Sequence, residues 1–211
     1  MQLATRIGTM AANGSSMYRD VFNALCDGSL TGEYTFPDIE LLRQNSFSNL
    51  NNWLSLTFPN VLSVSGGSSS SAFYNSKGLV KINMPKLKSI DYCLFEYCTA
   101  LEEAYFDAAT VIGDIPFARV RVLRKIYIPN VDKANSSRTW GFIEGLPESG
   151  LDVYNTNFSC SHILSRPNFL NMGNTSIDFW PHIRFHGNDG YITYDTASGS
   201  WVAVSQNGVG V

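Results

Sequence analysis

The feature that most constrains this chain is a repeat. Leu79, Ile82, Met84, Pro85, Leu87, Ile90 and Phe95 recur 22 residues on as Leu101, Ala104, Phe106, Asp107, Ala109, Ile112 and Phe117. After a further 22 residues the same places hold Leu123, Ile126, Ile128, Pro129, Val131 and Ala134. The register runs backwards too. Pro59 precedes Pro85 by 26 residues, and the four extra residues fall in a Gly- and Ser-rich run over 66–71. Pro37 precedes Pro59 by 22, with Phe36, Ile39, Leu42 and Phe47 in step. A fixed period in the twenties marks a solenoid of stacked coils, and five coils are expected between about residues 31 and 145.

Inside one coil, Lys81-Ile82-Asn83-Met84 and Lys125-Ile126-Tyr127-Ile128 alternate polar and apolar residues, as a half-buried strand requires. The proline that follows lacks a ladder donor and ends the strand. Wider-spaced apolar residues and Asn, Ser, Thr or Gly turns complete the circuit. A single coil buries too few side chains to offset the entropy of ordering its backbone, whereas stacked coils share a core.

The pattern Leu-x-x-Ile-x-Met-Pro-x-Leu-x-x-Ile, followed by Phe95, Cys98 and Leu101, resembles the BspA-like class of leucine-rich repeats. The resemblance covers a little over half the chain. It implies a repeat solenoid: a short leucine-rich-repeat arc with a parallel β-sheet on one face and irregular or 3-10 turns on the other. Such repeats are typical of surface-associated bacterial proteins, protist proteins and tail-region proteins of gut bacteriophages. They serve many binding tasks, so the resemblance constrains the fold more than the function.

Composition narrows the classes. Only 16% of the 211 residues are charged and the net charge is −3, which argues against a nucleic-acid-binding face of clustered Lys and Arg. No apolar run approaches the roughly 18 residues of a membrane span, so membrane insertion is not expected. Residues 1–8 carry no apolar leader, which, for a native N-terminus, predicts no export by the general route. Cys98 reads as a small core residue, and Cys93, Cys26 and Cys160 suggest no disulfide framework.

Three regions follow. Residues 1–28 read as an N-terminal arm and capping helix, with Tyr18, Val21, Phe22 and Leu25 on one helical face; the sharper reading is a docking element for another subunit. Residues 29–157 form the solenoid, in which Trp140 and Phe142 take the aromatic place of the fifth coil and Leu151, Val153 and Tyr154 supply a last, capping strand. Residues 158–211 lose the period and are expected to form a small antiparallel β module, with turns at Asn188-Asp189-Gly190 and Ala197-Ser198-Gly199 and a fraying tail from residue 205.

The candidate binding residues lie between the apolar strand positions, on the solvent side of the sheet. One column comprises Glu33, Ser55, Lys81, Glu103 and Lys125; the other comprises Thr35, Thr57, Asn83, Tyr105 and Tyr127. The Lys-Glu-Lys run forms a charge ladder between neighbouring strands. Tyr105 and Tyr127 are the leading contact residues, because aromatics dominate interface hot spots and stack on sugar rings. Lys81, Asn83, Glu103, Tyr105, Lys125 and Tyr127 are therefore the predicted binding set.

Catalytic signatures are lacking. No phosphate-binding Gly loop or nucleophile elbow appears, and Glu102 and Glu103 should point to opposite faces of one strand. His182 and His186 share a face if residues 183–185 are strand, but no third ligand joins them. Cys160 and His162 have no orienting partner. We therefore expect no cofactor, metal or catalysis. The leading expectation is a bacteriophage virion protein of tail, fibre or capsid decoration, touching other virion proteins through its N-terminal segment and host surface protein or polysaccharide through its sheet. It would be made in the bacterial cytoplasm, and fibre-like relatives by analogy would make it a trimer. The alternatives are a bacterial cell-surface adhesin and an intracellular protein-interaction module.

Overall fold

A computed structural model describes residues 31–64, 71–134, 150–166, 169–170 and 176–205. The expected N-terminal arm and capping helix, most of the Gly/Ser insertion, Trp140 and Phe142, and the tail beyond residue 205 lie outside the described residues.

In chain order the strands are β1 (Gly32–Thr35), β2 (Leu41–Leu42), β3 (Leu54–Thr57), β4 (Ser63–Val64), β5 (Leu79–Asn83), β6 (Ser89–Ile90) and β7 (Glu103–Tyr105). They continue as β8 (Val111–Ile112), β9 (Lys125–Tyr127), β10 (Lys133–Ala134) and β11 (Leu151–Tyr154). Helix α1 (Cys160–Leu164) and a 3-10 helix (Ile177–His182) come next, then β12 (Ile183–His186), β13 (Gly190–Asp195) and β14 (Ser200–Ser205).

The odd-numbered strands up to β11 lie side by side in parallel, one per coil, in a nine-stranded sheet ordered β1-β3-β5-β7-β9-β11-β12-β13-β14. The two-residue strands build two narrower parallel ladders, β2-β4 and β6-β8-β10. The side of the coil away from the main sheet is thus partly hydrogen-bonded strand, not turn alone. In the four coils whose closing turn is described, that turn uses a left-handed residue. Asn49, Asn75, Tyr97 and Arg119 occupy this place at φ 57 to 62°. Asn tolerates that conformation, whereas Tyr and Arg are held there at a steric cost.

The interior rows fall where the period puts them. Phe36, Phe58, Met84, Phe106 and Ile128 are all buried. A second row stacks Phe47 on Phe73 (5.8 Å between ring centres), Phe73 on Phe95 (5.2 Å) and Phe95 on Phe117 (5.4 Å). Buried hydrogen bonds cross between coils at matching places: Ser76 Oγ donates to Phe47 O, and Cys98 Sγ, 22 residues later, donates to Phe73 O at 3.1 Å. Apolar surroundings push the Cys98 thiol up to about 12 despite a backbone bond at Ser76 that opposes the shift, so it is an inert core group.

The expected small antiparallel C-terminal module is present in β12–β14, and it continues the main sheet of the coils. Leu151, Val153 and Tyr154 do not cap the stack. β11 pairs in parallel with both β9 and β12, and only β13 and β14 turn antiparallel. Ile183, Phe185 and Ile192 join the same core as the coils. The reason is that each parallel strand leaves an open row of N–H and C=O groups, which β12 satisfies before the hairpin ends the series. Asn155 secures this junction: its buried Nδ2 donates to Ile128 O and Val131 O, both at 2.9 Å. The Asn188-Asp189-Gly190 turn forms as expected, and a Cβ on Gly190 would lie 2.1 Å from Val204 O, which explains glycine there.

Candidate binding face

The two outward columns exist and are longer than the repeats predict. Strand register aligns Glu33, Ser55, Lys81, Glu103 and Lys125, and continues through Asp152 on β11 and Arg184 on β12. Beside it run Thr35, Thr57, Asn83, Tyr105 and Tyr127, continued by Tyr154, His186 and Tyr191. The periodic stretch revealed the first five members of each column. The others lie in aperiodic sequence, and the alternation of Leu151-Asp152-Val153-Tyr154 was the one local sign of them.

The second column is a ladder of neighbouring rings. Tyr105 and Tyr127 lie 6.2 Å apart, Tyr127 and Tyr154 6.5 Å, and His186 and Tyr191 6.1 Å, all tilted by just over 40°. Tyr154 and His186 stack at 4.5 Å and 8°. Cations from the neighbouring column reach over the rings: Lys81 over Tyr105 at 5.0 Å, Lys125 over both Tyr105 and Tyr154 at 5.1 Å, and Arg184 over Tyr191 at 5.5 Å. Each such contact contributes on the order of 0.5–1 kcal/mol at a solvent-facing site.

Glu103 anchors the middle of the face. It receives Lys81 Nζ at 3.3 Å, Arg124 Nη2 at 2.7 Å and the Tyr105 hydroxyl at 2.8 Å. Burial pushes its carboxyl up, but these partners together outweigh burial and hold it below the usual range. The same bond acts in the other sense on Tyr105: burial first, then the Glu103 carboxylate, push its phenol up to about 12. Arg124 also reaches Glu102, with Nε 3.1 Å from Oε2. Glu102 and Glu103 therefore do not diverge to opposite faces. Glu102 precedes the strand, and one guanidinium gathers both carboxylates.

The remaining polar groups are structural. His182 ends the 3-10 helix, so it is not on a strand with His186, whose Nε2 instead donates to Asp152 at 2.7 Å. His162 donates to Asp132 at 2.6 Å and Arg166 reaches the same oxygen at 3.0 Å, tying α1 to the turn after β9. The His162 hydrogen bond, the largest influence, together with Arg166 holds the Asp132 carboxyl below its usual range, outweighing burial, which opposes them. Cys160 does not pair with His162: burial first, then Asp189, push its thiol up to about 11, opposite to what a nucleophile needs. Among the described residues no group of three or more His, Cys, Asp or Glu side chains could hold a metal ion, and no helix is long and apolar enough to cross a membrane.

The repeat geometry agrees with a family match. Residues 17–139 match the model for the BspA type leucine rich repeat region, in six copies. The chain belongs to the BspA-type leucine-rich-repeat family. The matched copies reach back to residue 17, ahead of the first of the five coils counted from the apolar positions. No curated protein and no solved structure matches.

Proposed function

We propose that this BspA-type protein is a non-enzymatic binding module carried on a bacteriophage particle, with its main sheet as the contact face and residues 1–28 as the attachment to other virion proteins. The observation that carries the binding reading is the double column itself: five rings from Tyr105 to Tyr191 beside alternating charges, all on one face of five adjoining strands. Aromatic rings fixed by their neighbours lose little entropy on contact, which makes them good interface anchors. The virion setting rests on the resemblance of the repeats to the BspA-like class, in which phage tail-region proteins are one group. The bacterial cell surface is the alternative setting, supported by the other part of that likeness.

A photo-crosslinking residue at position 127, compared with one at Lys88, the exposed residue just before β6 of the narrow ladder, tests the face. Adducts from 127 and not from 88 are expected on incubation with host cells or with disassembled particles. Adducts from 88 alone would overturn it. Immunogold labelling of purified particles and of uninfected cells separates the two settings, since label confined to cell surfaces would refute the virion reading.

A further inference from the structure

The ion pairs of this face do not balance. Glu103 is committed to Lys81, Arg124 and Tyr105, and Asp152 to His186. Lys125 stands in register between these two carboxylates and pairs with neither. It is half-buried, and among the described residues its charge lies against two tyrosine rings. Arg184, one strand beyond Asp152, is exposed and has no ion pair among the described residues. A chain of net charge −3 therefore presents on this face two cations with no ion pair among the described residues. They are two strands apart, about 10 Å at the usual strand spacing.

The rings narrow the partner further. Tyr105 carries an ammonium from the strand on each side, and Tyr154 lies between Lys125 and the stacked His186 ring. The contacts on Tyr105 and Tyr154 compete with a sugar ring for the same faces. The Tyr105 hydroxyl is spent on Glu103, whereas the Tyr127 hydroxyl bonds no described residue. Cations and hydrogen-bond donors remain, while the carboxylates are already used. That combination fits a partner bearing negative acceptor groups on flexible arms.

We infer that the stretch from Lys125 to Arg184 docks an acidic polypeptide segment, with one carboxylate on Lys125, a second on Arg184 and a hydrogen bond from Tyr127. This rests on the sheet being the contact face. The full chain is titrated with a short labelled poly-L-glutamate, with poly-L-glutamine and alginate as the neutral and the acidic-glycan comparisons. Saturable binding of poly-L-glutamate is expected, about tenfold weaker in the Lys125→Gln, Arg184→Gln double variant and kept in Lys125→Arg. Thermal unfolding of each variant checks that the fold survives. Equal or tighter binding of alginate would overturn the peptide assignment. No binding of poly-L-glutamate, or binding that the double variant leaves unchanged, would overturn the inference while leaving the cross-linking test of the face to stand by itself.

Discussion

Replacing Phe95 by alanine removes the centre of the phenylalanine row. The ring is fully buried, stacks on Phe73 at 5.2 Å and on Phe117 at 5.4 Å, and leans on Phe106 at 5.9 Å. All three neighbours belong to adjoining coils pinned by backbone bonds, including Phe95 N to Pro116 O and Tyr97 N to Ala118 O. The walls of the resulting cavity are therefore poorly able to close in, which puts the cost at the upper part of the usual Phe→Ala range, about 4–5 kcal/mol. At roughly 2–4 °C per kcal/mol for a chain of this size, Tm should fall by about 8–20 °C. Phe95→Leu keeps most of the volume and loses the ring stacking, so it should cost about 1–2 kcal/mol. Urea titration followed by circular dichroism measures both. A cycle of Phe73→Leu with Phe95→Leu should return a coupling of about 0.5–1.5 kcal/mol. If Phe95→Ala costs less than about 1.5 kcal/mol, or the cycle shows no coupling, the row does not hold neighbouring coils together and the packing argument fails.

Three further outcomes follow from the geometry. Asn155→Ala strips two buried carbonyls, Ile128 O and Val131 O, of their donor, and should lower stability by about 2–3 kcal/mol in the same titration. Because the folded state holds Glu103 below the ordinary 4.5, its contribution is present above that pH and is lost as pH falls through the lowered value; exposure of the pairs keeps it under about 1 kcal/mol. Glu103→Gln should abolish this acid-side loss and bring the Tyr105 phenol down from about 12, as seen by ultraviolet titration. At Arg119, held at φ 62°, the glycine variant should be more stable than the alanine variant by about 0.5–1 kcal/mol, since only glycine takes that backbone without strain.

The coils and their two faces were legible because stacking in parallel converts a place in the period into a place on the surface. Phe36 through Ile128 had to share one interior row, and Lys81, Glu103 and Lys125 had to line up outside it, once each strand paired in register with the last. What lay beyond residue 150 had no such conversion. Only the folded chain decides that β12 adds in parallel beside β11, that Asp152, Tyr154, Arg184, His186 and Tyr191 extend the columns, and that His182 turns away from His186. Those placements depend on the open edge that the last coil leaves and on contacts between residues 30 or more apart, such as His186 with Asp152. The same holds for Lys125. The sequence put it beside Glu103; the fold adds Asp152 on its other side and commits both carboxylates to Arg124, Lys81 and His186, which leaves Lys125 on two tyrosine rings.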